Sequence, residues 1–493
     1  MHFINPQDHT RRAFLRRSAQ LAFTGAALPV ALNLAAMGEA AAFNATDYKA
    51  LVCVFLNGGN DNWNTVVPYD NTNYDLYSAV RGGGAGRTSG GIALGQATLA
   101  NTVLAATAAG NRQYALHPSM TGLAGLFNAG QAAVQLNVGP LVVPVTKAQY
   151  EGSNRALYPL PPKLFSHNDQ QSVWQSSSPE GSTIGWGGNI GDLALSSNGT
   201  GSLFTCISIT GNAVFLSGDD ALAYQVSSGG AVKIRSVTDN VYGSSAVKDA
   251  ISQLVKQTRT DVLENEYNRV TQRSIAAEGT VNGGIGATAT AAGANTGEFA
   301  PFAAIPTNNQ LAAQLKMVAR LIAARTSLST KRQVFFVSIG GFDLHDNLLA
   351  GHITNMTRVS EAMTAFYQTT FNLGVAGQVT SFTASDFGRT LTSNGDGSDH
   401  GWGGHHFVVG GAVKGKSFYG APPPVSVGSG TAAEDQWHVG QGRLLPSTSV
   451  DQYAATLASW FGVEPGELAG ILPNLRNFGA PNAVDYPINL GFL

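Results

Sequence analysis

The chain has 493 residues, of which 12% are charged and 43% hydrophobic, and its formal net charge is −2 at pH 7. A charged share about half the usual one, near neutrality and without a run of Lys and Arg, excludes nucleic acid and anionic membrane surfaces as expected partners. The length suits one large α/β domain with insertions or as many as three average domains, and no hinge-like linker divides it.

The chain begins with a polar stretch carrying Thr10, Arg11, Arg12, Ala13, Phe14, Leu15 and Arg16. A weakly apolar segment over 19–37 follows, interrupted by Gly25 and Pro29 and ending near the small residues Ala40 and Ala42. This is the pattern of a twin-arginine export signal, so residues 1–42 are expected to be removed and 43–493 to form the mature domain. The segment is too short and too rich in small residues to serve as a stable membrane anchor. It predicts the twin-arginine translocase as a partner during export, and a periplasmic or secreted mature protein.

Residues 49–56 form a continuous apolar run that stops at Asn57-Gly58-Gly59, as expected of a strand buried on both faces. Met120, Leu123, Leu126 and Phe127 recur at helical spacing over 118–129, Gly130 supplies a C-cap, and 133–138 reads as the next strand. The run 203–209 is a further strand candidate. Cys53 and Cys206 sit in such runs and read as buried strand residues, with a disulfide between them left open. The segment 276–297 is almost all Gly, Ala, Thr and Asn, and is expected to be a flexible insertion within the domain. A helix over 310–324, a strand over 333–339, a helix over 359–371 and a strand over 379–383 complete the pattern. Alternating helices and apolar strands predict an α/β fold with a mostly parallel central sheet and helices on both faces.

In such sheets ligands bind beyond the carboxyl ends of the strands, and the acidic and histidine residues gather there beside glycine turns. The clusters are Gly58-Gly59-Asn60-Asp61, Gly340-Gly341-Phe342-Asp343-Leu344-His345, Ser385-Asp386-Phe387-Gly388-Arg389, and the stretch from Asp399 to His406. Asp343 and His345 stand two apart in an extended segment and so face one cavity. Asp399 and His400 are adjacent, and the glycines after them let His405 or His406 turn inward as well. Mixed carboxylate and imidazole sets suit Zn, Mn or Fe better than Ca. Ser166 and His167 precede a predicted helix carrying Val173 and Trp174; Ser166 is either a helix N-cap or a nucleophile at the helix's positive end. Arg389 either grips an oxyanion or pairs with a neighbouring carboxylate. His117, His352 and His438 read as packing histidines, and Trp63, Trp186 and Trp402 as packing in preference to sugar stacking.

These residues resemble a bacterial twin-arginine-exported family, domain of unknown function 1501, which is grouped with the alkaline phosphatase and sulfatase superfamily. The resemblance rests on Gly58 to Asp61 with Asn64-Thr65-Val66-Val67-Pro68, on Ser166-His167, Gly185-Trp186 and Gly340 to His345. It continues through Ser385 to Thr390, Asp399-His400-Gly401, Gly410 to Gly415 and Pro446 to Asp451, nearly the whole mature chain. It implies an alkaline phosphatase-like fold in which Asp61, Asp343, His345, Asp386 and His400 hold a divalent metal and Ser166 attacks. Asp399 and His405 complete the candidate ligands, and Arg389 is the candidate partner of the developing charge. The superfamily's usual Asp-His pair is Asp386-Phe387 here, which leaves two metals, one or none as alternatives. The expected function is an exported metal-dependent hydrolase of phosphate or sulfate esters, on small molecules or glycans. The alternative is a non-catalytic exported binding or envelope-associated protein that retains the fold.

Overall fold

A computed structural model describes residues 45–288, 295–480 and 485–493; the expected signal peptide lies outside them. Its strands are β1 (Lys49–Leu56), β2 (Val66–Pro68), β3 (Val103–Ala108), β4 (Arg112–Leu116), β5 (Ala132–Gly139), β6 (Cys206–Ser208), β7 (Tyr224–Gln225), β8 (Arg332–Ile339), β9 (Val379–Ser385), β10 (Gly404–Gly410), β11 (Phe418–Tyr419) and β12 (Thr448–Ser449). The helices that matter below are, in chain order, α1 (Asn62–Thr65), α2 (Asn71–Val80), α3 (Thr121–Asn128), α4 (His167–Ser176), α5 (Trp186–Asn198), α6 (Val262–Thr288), α7 (Gln310–Ala323), α8 (Leu348–Asn372) and α9 (Val450–Phe461).

The fold is α/β, built on a mixed sheet of 9 strands in the order β11-β5-β10-β9-β1-β8-β6-β7, with β12 beside β5. The expected parallel arrangement holds from β9 through β7. It fails at β10, which runs antiparallel to both of its neighbours. A separate antiparallel sheet joins β2, β4 and β3. Two cores flank the large sheet, as alternation of side chains along a strand requires. Val52 and Val54 of β1 enter one, with Leu123 and Phe127 of α3, Leu315 and Ile322 of α7, and Met356 and Phe366 of α8. Leu51, Cys53 and Phe55 enter the other, with Trp186 and Ile190 of α5 and Leu457 and Phe461 of α9. Cys53 and Cys206 are both buried and free, and burial pushes both thiols up.

The segment expected to be a flexible insertion is helical as far as Thr288, the end of α6, while residues 289–294 lie outside the described part. Ala277, Val281 and Ile285 recur at helical spacing and enter the core with Leu328; in so glycine-rich a stretch this narrow stripe was hidden. The helix predicted over 359–371 starts earlier, at Leu348. Among the described residues no helix is long and apolar enough to cross a membrane.

The register sets up the site. Leu56, the last residue of β1, lies opposite Ile339, the last of β8, and Ser385, the last of β9. Three segments separated by hundreds of residues therefore leave the sheet at one level. Because β10 is antiparallel to β9, the loop that feeds it, 399–403, arrives at the same edge.

Candidate metal centre

The loops close on one another because glycine removes side chains where backbones meet. Gly58 has φ +115°, and a Cβ there would lie 2.5 Å from the Asp343 nitrogen. A Cβ on Gly397 would lie 2.2 Å from the His345 carbonyl carbon. Asp343 and His345, from the loop after β8, are thus pressed against the end of β1 and the loop before β10.

Four side chains converge at this edge. His345 Nε2 lies 2.9 Å and His167 Nε2 lies 3.1 Å from His400 Nε2. Asp343 Oδ1 lies 3.1 Å from His345 Nε2 and 3.3 Å from His400 Nε2, and its Oδ2 lies 3.4 Å from His167 Nε2. Ligand atoms of His167, Asp343 and His400 all lie within 4.8 Å of one another. Solvent reaches the group: Asp343 and His345 are 45% and 44% exposed, His167 and His400 27% and 25%.

The other ring nitrogen of each histidine fixes its tautomer. His400 Nδ1 lies 2.7 Å from the carbonyl oxygen of Phe165, which only accepts, so this nitrogen carries the proton. His167 Nδ1 is 2.6 Å from Asp386 Oδ2, and His345 Nδ1 is 3.1 Å from Asp399 Oδ1. With Nδ1–H donating in all three, each neutral ring turns a bare Nε2 lone pair toward the others and toward the Asp343 carboxylate. Lone pairs packed this closely repel unless a proton or a cation stands among them. A tetrahedral ion with ligands about 2.0–2.1 Å away separates those ligands by about 3.3 Å, close to the 3.1, 3.3 and 3.4 Å between His167, His400 and Asp343. An imidazole whose second nitrogen donates to a carboxylate or carbonyl is the usual support of a metal-bound histidine.

The surroundings of each carboxylate are specific. Asp343 is pulled up by partial burial but held below the usual carboxylate range by the Arg389 guanidinium, whose Nη1 donates to Oδ1 at 2.9 Å. Asp399 is likewise held low, against burial, by Asn394 and His345. Asp386 accepts from the Gly58 backbone N–H and from Gln171 Nε2 besides His167. The hydrogen bond to Asp386 raises the His167 pKa against the effect of burial, whereas burial lowers that of His400. Phe387, where a further imidazole was expected by resemblance, stacks against His167 and His400 with ring centroids at 4.8 and 4.7 Å.

Of the sequence-predicted ligands, Asp343, His345 and His400 stand in the cluster. Asp386 and Asp399 stand one bond behind it, as acceptors for the histidines. Asp61 is elsewhere: it is 1% exposed, takes Arg81 Nη2 at 2.8 and 3.0 Å, and caps α1 by accepting from Asn64 N. Arg81 is fully buried at the end of α2, and against the effect of burial it holds the Asp61 carboxyl low. His405 is also apart, because β10 directs it into the interior, where its Nδ1 accepts from Asn137 N and its ring meets Trp63 edge-on. His406 packs on Trp174 and Tyr453. Ser166 makes no side-chain cap; its hydroxyl donates to Asp169 Oδ2 at 2.9 Å. Arg389 is fully buried and spends its donors on Asp343, Gly58 O and Ser398, so it orients Asp343 and does not reach a substrate.

The member of the cluster that sequence reasoning left out of the candidate ligands is His167. It stood in the quoted Ser166-His167 pair, but the serine drew the attention; a histidine opening a polar helix beside a candidate nucleophile was the available signal. No curated protein matches the chain. The sequence model of one family, described as Protein of unknown function (DUF1501), matches residues 48–441. That match takes in every residue of the cluster and most of the chain, which therefore belongs to this family of unknown function.

Proposed function

We propose that the protein binds one divalent transition metal through His167, His345, His400 and Asp343, and that it is an exported metal-dependent hydrolase of phosphate or sulfate esters. The carrying observation is that the Nδ1 atoms of three histidines are all taken by oxygen acceptors, which leaves the Nε2 atoms of His167 and His400 within 4.8 Å of each other and of the Asp343 carboxylate, and that of His345 2.9 Å from His400. Zn, Mn and Fe suit this nitrogen-rich set. When bound, such an ion supplies Lewis acidity to an ester oxygen.

The chain's own residues supply the rest. Ser166 immediately precedes His167, and its hydroxyl donates to the Asp169 carboxylate. In this reading Asp169 takes the proton as the Ser166 oxygen bonds the ester's phosphorus or sulfur, and the bond to the alcohol oxygen breaks, the alcohol leaving with a proton from water. Asp386, Asp399 and the Phe165 carbonyl hold the three rings, and Arg389 holds Asp343. Export rests on the arginine pair and apolar stretch of residues 10–37, and the likeness to alkaline phosphatases and sulfatases on the order of the motifs along the chain.

A non-catalytic exported binding protein is the second reading. It draws support from Arg389, the expected partner for developing negative charge, which is buried and committed to Asp343. Elemental analysis of the purified mature chain, followed by a screen of aryl phosphates and aryl sulfates with parent and Ser166→Ala, separates the two. Metal with turnover that Ser166→Ala abolishes supports the hydrolase; metal without turnover of any ester supports the binding protein; a metal-free parent that takes up no added Zn, Mn or Fe overturns the centre itself.

A further inference from the structure

The metal centre occupies the sheet edge over β9, β1 and β8. The next stretch of that edge, over β8 and β6, holds a separate cavity of about 420 Å³. Thr210 beyond β6, Ser338 near the end of β8, Asn308, Gln310 and Gln314 at the start of α7, and Arg358 of α8 line it. Its size falls in the range of small-molecule pockets, and it lies where open α/β sheets receive ligands.

Two walls of this cavity are fixed by hydrogen bonds. The Gln314 amide donates to Ser338 O and accepts from Ser338 N, both at 3.0 Å, sealing the backbone edge of β8. Asn309 caps α7 by accepting from Ala312 N and donates to the Arg358 carbonyl, tying the start of α7 to α8. The same Asn309 amide donates to Glu361, the acid one turn from Arg358. Arg358 itself is half-buried, and among the described residues its guanidinium has neither an ion pair nor a hydrogen bond. The lining contains no carboxylate. A guanidinium with five donors and no partner, in a polar cavity without an acid, is arranged for bidentate capture of an oxyanion.

The cavity is much larger than an inorganic anion, and around Arg358 it offers amides and hydroxyls, groups that both donate and accept. We infer that it binds a small polyhydroxylated anion, of the size of a monosaccharide carrying one carboxylate, sulfate or phosphate. Arg358 takes the acidic group, and Gln310, Asn308 and Thr210 take hydroxyls. This inference does not depend on the metal centre.

Calorimetric titration of the mature chain with glucuronate, glucose and inorganic sulfate tests it, using the parent, Arg358→Gln, Gln310→Ala and His400→Ala. The expected result is saturable, equimolar glucuronate binding, weaker binding of glucose and of sulfate, and a loss of at least about tenfold in Arg358→Gln, the effect of removing one charge-assisted pair. His400→Ala should bind as the parent does. The exposed Gln310→Ala should fold normally and weaken binding severalfold, which keeps the test open should Arg358→Gln fold poorly. The inference is overturned if glucuronate does not saturate, if a folded Arg358→Gln binds it within threefold of the parent, or if His400→Ala abolishes binding. Sulfate binding as tightly as glucuronate would remove the polyol.

Discussion

Asp61 was expected to hold metal and instead is paired with Arg81 in the interior, so Asp61→Asn distinguishes a ligand from a scaffold residue. Both side chains are at most 1% exposed, and water does not screen the Arg81 charge once its partner is neutral. The amide could keep the bond from Asn64 N, but its –NH2 would have to face Arg81 or the Ser398 hydroxyl, both of which donate to Asp61. Removing one partner of a buried pair costs about 3–5 kcal/mol. The expected outcome is a large drop in the urea midpoint with the metal content of the folded protein unchanged. Both quantities come from one preparation, by fluorescence-monitored unfolding and elemental analysis. The refuting result is the converse, a variant that unfolds at the parent's midpoint but has lost its metal. A further check is Arg81→Met in the Asp61→Leu background, which should recover much of the loss, because replacing both buried charges by apolar groups is often nearly neutral.

His167→Ala should abolish stoichiometric metal binding while Ser166→Ala, one residue away, retains it; equal retention in both would remove His167 from the ligand set. Asp386→Asn should leave the metal bound but weaken it about 10- to 100-fold, the usual effect of losing a carboxylate behind a ligating histidine, as read by competition with a chromogenic chelator. Asp451 is fully buried, and burial pushes its carboxyl up to about 6 against the hydrogen bonds it accepts. Between an unfolded value near 3.9 and that level the folded state keeps a proton the unfolded chain releases, so stability falls as pH rises through this window and levels off above it. The gap costs about 3 kcal/mol at about 1.4 kcal/mol per pH unit. Asp451→Asn keeps an Oδ1 to accept from Ser177 and Asn474, so it should exceed the parent's stability by up to about 3 kcal/mol at pH 7.5 and lose that advantage at pH 4; a pH-independent difference would contradict the assignment.

Strands buried on both faces were readable because they are continuous apolar runs: β1 coincides with the run read at 49–56, and β8 and β9 fall where their runs do. Their order in the sheet, and the antiparallel β10, were not, since strand pairing is a property of contacts far apart in sequence. That Asp343, His345 and His400 come together in one site was readable from glycines and acids at strand ends. The division of labour within it was not. Asp343 and Asp386 both follow parallel strands, yet one faces the converging nitrogens and the other faces the Nδ1 of His167, and residue type does not separate a ligand from the group that orients it. Asp61 has the same sequence surroundings as either, and the approach of Arg81, 20 residues on at the C-terminal cap of α2, commits it to the interior.

Charge links these assignments. With the three histidines neutral, Asp343, Asp386 and Asp399 meet two guanidinium groups: Arg389 donates to Asp343, and Arg443, whose Nε donates to the His400 carbonyl, helps to hold Asp399 low, so one negative charge is left over; Asp61 and Arg81 cancel one another behind it. That excess of negative charge favours a cation among the bare ring nitrogens. Among the rings, His167 has its pKa raised, first by its hydrogen bond to Asp386 and against burial. The carboxylates behind the rings therefore do more than orient them: they leave the cluster negative, and Arg389, by offsetting one carboxylate, limits that charge. An Arg389→Gln variant that folds would leave the cluster one charge more negative, and its metal would be held more tightly only if Asp343 kept its place, which is the other task that the same guanidinium performs.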